Sequence, residues 1–247
     1  MRTVKWAAFL NPDRKVGTLV HFLPGTPGAA TPYPVEVALT VFGRNLPQKT
    51  ISLDGARLFH PDGVRVEDIF TFSESDPDSL IALQVEVFSK QQKSDVSASQ
   101  CIVEFPSIDN PVLFSPSKAI ISLDPQKGTE LPQAASPEVQ ILAMKDPNLT
   151  PSLLMINGDR FDLRPEVHYD DMDDAKRALM PLGQISPLSV LERKLDGTIF
   201  GEPAARESSW GNVRTRILAA KTSPVGSAMY LIYRDVKTSK LTSVHAI

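Results

Sequence analysis

Asp170, Asp171, Asp173 and Asp174 form the densest group of potential ligands in this sequence, with Asp159 and Asp162 a short way upstream. Carboxylate oxygens suit a hard cation such as calcium, which takes several of them at once. The spacing departs from an EF-hand loop, which needs alternating acids, a central glycine and a terminal glutamate. Aspartate also favours turns on its own account, because its side chain accepts hydrogen bonds from nearby backbone. The cluster therefore reads first as a solvated turn after a strand, with calcium as the alternative.

A second group joins an aromatic ring to guanidinium groups. Trp210, Arg214 and Arg216 follow Arg206 within one short stretch, and Trp and Arg are the residues most enriched at binding hot spots. In a strand beginning at Trp210, a period of two puts Arg214 and Arg216 on one face, opposite Val213 and Ile217. The favoured reading is a tryptophan that caps a core, with its arginines in water. The functional alternative is a face for an acidic protein partner or a carboxylated ligand.

Other chemistry finds little support. His21, His60, His168 and His245 are scattered, without the close His/Cys spacing of a zinc site. His21 and His168 each sit in an apolar strand, where a satisfied or outward-facing imidazole is the common case. Cys101, the one cysteine, lies in an apolar run and resembles a small buried hydrophobe rather than a nucleophile. No nucleophile elbow, P-loop or dinucleotide fingerprint occurs; Val225-Gly226-Ser227-Ala228 lacks the second glycine of an elbow.

The elements that must position these groups are strands. The chain has 247 residues, 42% apolar and 22% charged, ordinary values for a protein with a real core. Its 21 prolines are spread along the sequence, leaving few stretches long enough for a helix, because an interior proline costs about 3 kcal/mol. Val35–Phe42 alternates through Val35, Val37, Leu39 and Val41, and Leu80–Phe88 through Ile81, Leu83, Val85 and Val87; both patterns predict strands with one buried face. Cys101–Phe105 is strand-like too. Glu67–Phe72 and Leu188–Leu195 could each form a turn or two of helix.

The second half repeats the grammar of the first. Ser79–Val87 lines up with Ser209–Ile217, and Val96–Glu104 with Val225–Tyr233, each pair joined by a polar hairpin-like connection. Thr18–Phe22 and Val35–Phe42 correspond more loosely to Ser152–Ile156 and Glu166–Tyr169. This predicts an all-β chain of two tandem antiparallel β-sandwich modules, jelly-roll or immunoglobulin-like, related by divergent duplication. Module 1 would span residues 1–123 and module 2 residues 138–247, with 124–137 a proline-rich linker. The boundary falls in Pro106–Pro137, with a short strand pair at Val112–Phe114 and Ala119–Leu123, and a hairpin within Tyr230–Ile247 would close module 2. Pro24–Pro34 is a second long proline-rich loop.

The order of the second half is a strand ending in Asn157-Gly158-Asp159, another strand, a proline-flanked run and a closing pair. It resembles the small bacterial β-sandwich modules of which the sensory-rhodopsin transducer type is one. The resemblance is one of pattern and implies a fold, not a function.

With 26 basic and 29 acidic residues interspersed, the net charge is −3. No basic stripe suits a phosphate backbone or an anionic membrane. The N-terminus has too short an apolar stretch for a signal peptide, and no run reaches transmembrane length, so a cytoplasmic location is expected. The expectation is a non-enzymatic binding or assembly protein, acting on a protein partner or on copies of itself. A carbohydrate- or small-ligand-binding sandwich is the alternative, and a hydrolase a third class.

Overall fold

A computed structural model describes residues 2–13, 15–23, 35–43, 46–54, 62–72, 80–89, 99–107, 111–122, 139–144, 146, 148–158, 162–171, 177–181, 183–195, 210–219 and 227–246. The expected linker and the Pro24–Pro34 loop lie outside these residues.

Seventeen strands and a single helical turn make up the described chain. Sheet A runs in the order β4-β3-β6-β1-β9. Its strands are β1 (Arg2–Phe9), β3 (Val35–Gly43), β4 (Leu46–Asp54), β6 (Ile81–Ser89) and β9 (Ser117–Ser122). Sheet B runs β5-β2-β7-β8, from β2 (Leu19–Leu23), β5 (Val64–Arg65), β7 (Gln100–Phe105) and β8 (Val112–Phe114). The turn α1 (Val66–Ile69) follows β5. Sheet C runs β10-β15-β12-β13, from β10 (Val139–Met144), β12 (Leu163–Asp171), β13 (Arg177–Pro181) and β15 (Trp210–Ala219). Sheet D runs β14-β11-β16-β17, from β11 (Leu149–Asn157), β14 (Ser189–Lys194), β16 (Ser227–Asp235) and β17 (Leu241–Ala246). Every pairing is antiparallel.

The strand order of the first half recurs in the second. Raising each number in β4-β3-β6-β1 by nine gives β13-β12-β15-β10, and the same step turns β5-β2-β7-β8 into β14-β11-β16-β17. Only β9, on the outer edge of β1, has no counterpart. No strand pairing among the described residues crosses between residues 2–122 and 139–246.

Sheets A and B face each other in a sandwich-like pair. Val4, Trp6, Val37, Leu39 and Val85 from sheet A share a core with Val20, Phe22, Cys101 and Val103 from sheet B. Trp6 meets Phe22 edge-on at 6.0 Å between centroids. That core does not stop at β9. Leu154, Ile156, Tyr230 and Ile232 of sheet D belong to the same cluster, with β1 lying against β11 and β16, β14 against β3 and β6, and β17 against β8. The joint is aromatic: Phe9 stacks on Phe114 at 5.4 Å and meets Tyr230 edge-on at 5.5 Å. Aromatic pairs of this kind add roughly 0.5–1.5 kcal/mol beyond the area they bury. The Tyr230 hydroxyl donates to the Ala7 carbonyl across the joint.

Several expectations are corrected. Leu188–Leu195 contains strand β14, paired with β11 from Ser152↔Lys194 to Asn157↔Ser189. Its Leu, Glu, Arg and Lys residues suit a helix, but a helix of so few residues is marginal alone, whereas β11 offers a ready row of hydrogen-bond partners. The connections after Leu80–Phe88 and Trp210–Ile217 are not hairpins. β6 lies in sheet A and β7 in sheet B, and likewise β15 in sheet C and β16 in sheet D, so both links cross between sheets. Strands β8 and β9 do not pair with each other either: β8 joins β7 and β9 joins β1. Local alternation identifies strands but carries no information about which sheet each joins. The closing hairpin in the second half is present as β16–β17. Of the two expected helical segments, only the one near Glu67 is helical, as the single turn α1.

Candidate functional site

The two chemically interesting groups of the second half come together in sheet C, described here by backbone register. β15 is an inner strand, between β10 and β12. Trp210 is registered with Met144; Arg214 lies between Gln140 and His168, and Arg216 opposite Glu166. Asp170 lies between Asn212 and Arg177, and Asp171 opposite Gly211. The acid cluster therefore begins beside Trp210, although the sequence separates the two by some forty positions. Asp173 and Asp174 lie outside the described residues. Among the described residues no group of three or more His, Cys, Asp or Glu is placed to hold a metal ion.

Alternation along these strands divides sheet C into two unlike rows. Glu166, His168, Asp170, Arg214 and Arg216 occupy one face; Val167, Tyr169, Val213 and Ile217 occupy the other, with Thr215 and, at the end of β12, Asp171. An amphipathic sheet with one such apolar face needs a partner layer on that side.

A further polar centre sits on the outer face of sheet B. His21 Nε2 and Glu104 Oε2 are 2.8 Å apart, each side chain about 23% exposed. Gly63, at φ +70°, lies against the imidazole: a Cβ there would come within 2.8 Å of His21 Cε1. Both the backbone conformation and the close approach require glycine. Leu23 and Leu113, 47% and 57% exposed, lie on the same sheet. The satisfied, outward-facing histidine was readable in sequence; its partner was not, because Glu104 comes from a strand far along the chain.

Two further ion pairs among the described residues each join two strands of one sheet. Lys5 bridges Glu86 at 3.0 Å, and Arg234 donates two hydrogen bonds of 2.9 Å to Glu192, joining β16 to β14. Asp235 is held below the usual carboxylate range by hydrogen bonds from the backbone and hydroxyl of Thr238 in the β16–β17 turn. Cys101 is buried, and burial pushes its thiol from 9.0 up to about 12. A thiol so placed is protonated and enclosed at neutral pH, the reverse of an activated nucleophile. Native protein at pH 8 is thus expected to resist iodoacetamide and to react only once denatured; rapid native labelling would contradict this burial. Because the folded thiol keeps its proton while the unfolded one loses it, Cys101 contributes stability below pH 9 that falls away as pH rises toward 12.

Comparison with protein families, curated proteins and solved structures finds no match for this chain.

Proposed function

We propose that this chain is a non-catalytic assembly protein built from two tandem β-sandwich modules of common descent, the second formed by sheets C and D. The observation that carries the reading is the recurrence of one eight-strand order in both halves. Duplicated modules offer similar faces and edges that can pair with other copies or with a protein partner. The burial of Leu153, Met155, Met229 and Leu231, on the face of sheet D turned away from the shared core, is accounted for if sheet C covers it with its apolar row. The commitment of His21, Lys5, Glu86, Glu192 and Arg234 to structural pairs, together with the enclosed Cys101, favours recognition over catalysis. Trp210, Arg214 and Arg216 then lie on a strand whose polar face is available for an acidic partner.

Light scattering on the intact chain tests this. A dimer or larger species at micromolar concentration is expected, with a melting temperature indifferent to calcium and to a panel of sugars. A monomer at every concentration, stabilised by several degrees by calcium or a sugar, would overturn it in favour of a ligand-binding sandwich.

A further inference from the structure

The repeat exposes one difference between the halves. In sheet A the outer edge of β1 is covered by β9, registered from Arg2↔Ser122 to Ala7↔Ser117. In sheet C the corresponding strand is β10, and no described strand pairs with its outer edge. An uncovered edge presents a row of backbone N–H and C=O groups that can template pairing with another chain.

The other sheet edges carry the usual safeguards. β4 has Pro47, Lys49 and Asp54; β9 has Lys118; β13 has Arg177 and Pro181; β14 has Glu192, Arg193 and Lys194. β5 and β8 are two and three residues long, and β17 lies against β8. β17, Leu-Thr-Ser-Val-His-Ala, also lacks charge and proline but has β8 beside it. That leaves β10, Val-Gln-Ile-Leu-Ala-Met, as the described edge strand with no charge, no proline, no unusual shortness and no neighbouring strand on its outer side. Its six residues match the six of β9.

We propose that β10 is a self-association edge, at which a second copy of this chain pairs antiparallel through its own β10 about a two-fold axis. The inference rests on the assembly reading above and names its site. Self-pairing is favoured because an isologous antiparallel contact sets a strand against its own sequence, and β10 has no charge to oppose its mate. A two-fold axis perpendicular to the sheet keeps each face on its own side, which centres the contact on a residue, Ile141 or Leu142, rather than between two. The polar row of sheet C then continues across the pair, as does the apolar row, and two four-stranded sheets become one of eight.

The test uses the intact chain in three forms. Leu142→Lys places an ammonium group on the edge strand in the row shared with Arg214 and Arg216. It is expected to raise the concentration needed for the dimer at least about tenfold by light scattering, with an unchanged circular dichroism spectrum. Of Ile141→Cys and Leu142→Cys, the one on the axis is expected to form an interchain disulfide under mild oxidation, without competition from the buried Cys101. An oligomer that survives Leu142→Lys while neither cysteine crosslinks would overturn the β10 edge and leave assembly standing. A wild-type monomer throughout would overturn both, and capture of a different protein through β10 without self-association would overturn the choice of a second copy.

Discussion

Phe9→Ala is expected to lower the stability of the intact chain by about 3–5 kcal/mol, the usual cost of removing a buried aromatic ring. Phe9 is fully buried, and its ring touches Phe105 and Phe114 of sheet B and Tyr230 of sheet D. One truncation therefore opens the core at the point where the second half meets the first. Tyr230→Ala should interact with it: once Phe9 has gone, part of what Tyr230 packs against is missing, so the double variant loses less than the two single losses together. Urea denaturation of the four proteins measures both quantities. A Phe9→Ala cost below about 1 kcal/mol would mean that the aromatic joint is not formed.

Asn157→Leu should also be damaging, for a different reason. Asn157 is fully buried at the end of β11, and its amide nitrogen donates to the carbonyls of Ile185 and Ser186 at 3.0 Å each. Leucine fills a similar volume but donates nothing. The buried Ile185 carbonyl keeps the Leu163 N–H and the exposed Ser186 carbonyl keeps the Ser189 hydroxyl, so the loss is that of two hydrogen bonds at about 0.5–1.5 kcal/mol each. A loss of roughly 1–3 kcal/mol is expected in urea denaturation. The damage should concentrate in β14, whose pairing with β11 begins at Asn157↔Ser189. Faster amide exchange in β14 with β16 and β17 unchanged would show that Asn157 acts by seating this edge strand. A loss below about 0.5 kcal/mol would show that the Leu163 and Ser189 donors suffice for the two carbonyls and that Asn157 adds little.

Strands that alternate in sequence, such as Val35–Phe42, could be read because Val35, Val37, Leu39 and Val41 all enter the core. The expectation of a single buried face fails there, since Ala38, Thr40 and Phe42 are buried on the other side. Other strands hid their geometry in the same pattern. Leu153-Leu154-Met155-Ile156 and Ala228–Tyr233 are continuous apolar runs, as expected of strands buried on both faces, yet nothing local distinguishes a second covering layer from a thicker core. β1 is hard to read for a related reason: the run Trp6-Ala7-Ala8-Phe9-Leu10 resembles an apolar N-terminal segment, yet its strand meets sheets B and D together. The similarity of 79–104 to 209–233 was visible, but its meaning as a crossing between sheets was not, because strand partners are chosen by residues far away in sequence. The same limit applies to function. Asp170 and Trp210 were each conspicuous, whereas their placement on adjacent strands follows only from the pairing of β12 with β15. β10, free of charge and of ordinary length, carries no sequence signal beyond its apolarity; it stands out only against the covered edge of β1.

Both the assembly reading and the β10 edge require sheet C to be formed as the counterpart of sheet A. Amide hydrogen exchange on the intact chain tests this directly. β15 lies between two neighbours, as β6 does, so the amides of Val213–Ile217 are expected to exchange as slowly as those of Leu83–Val87, with the edge strands β4 and β13 faster. Rapid exchange throughout β15, while β6 and β16 stay protected, would contradict the second sandwich and the repeat on which the proposed function stands.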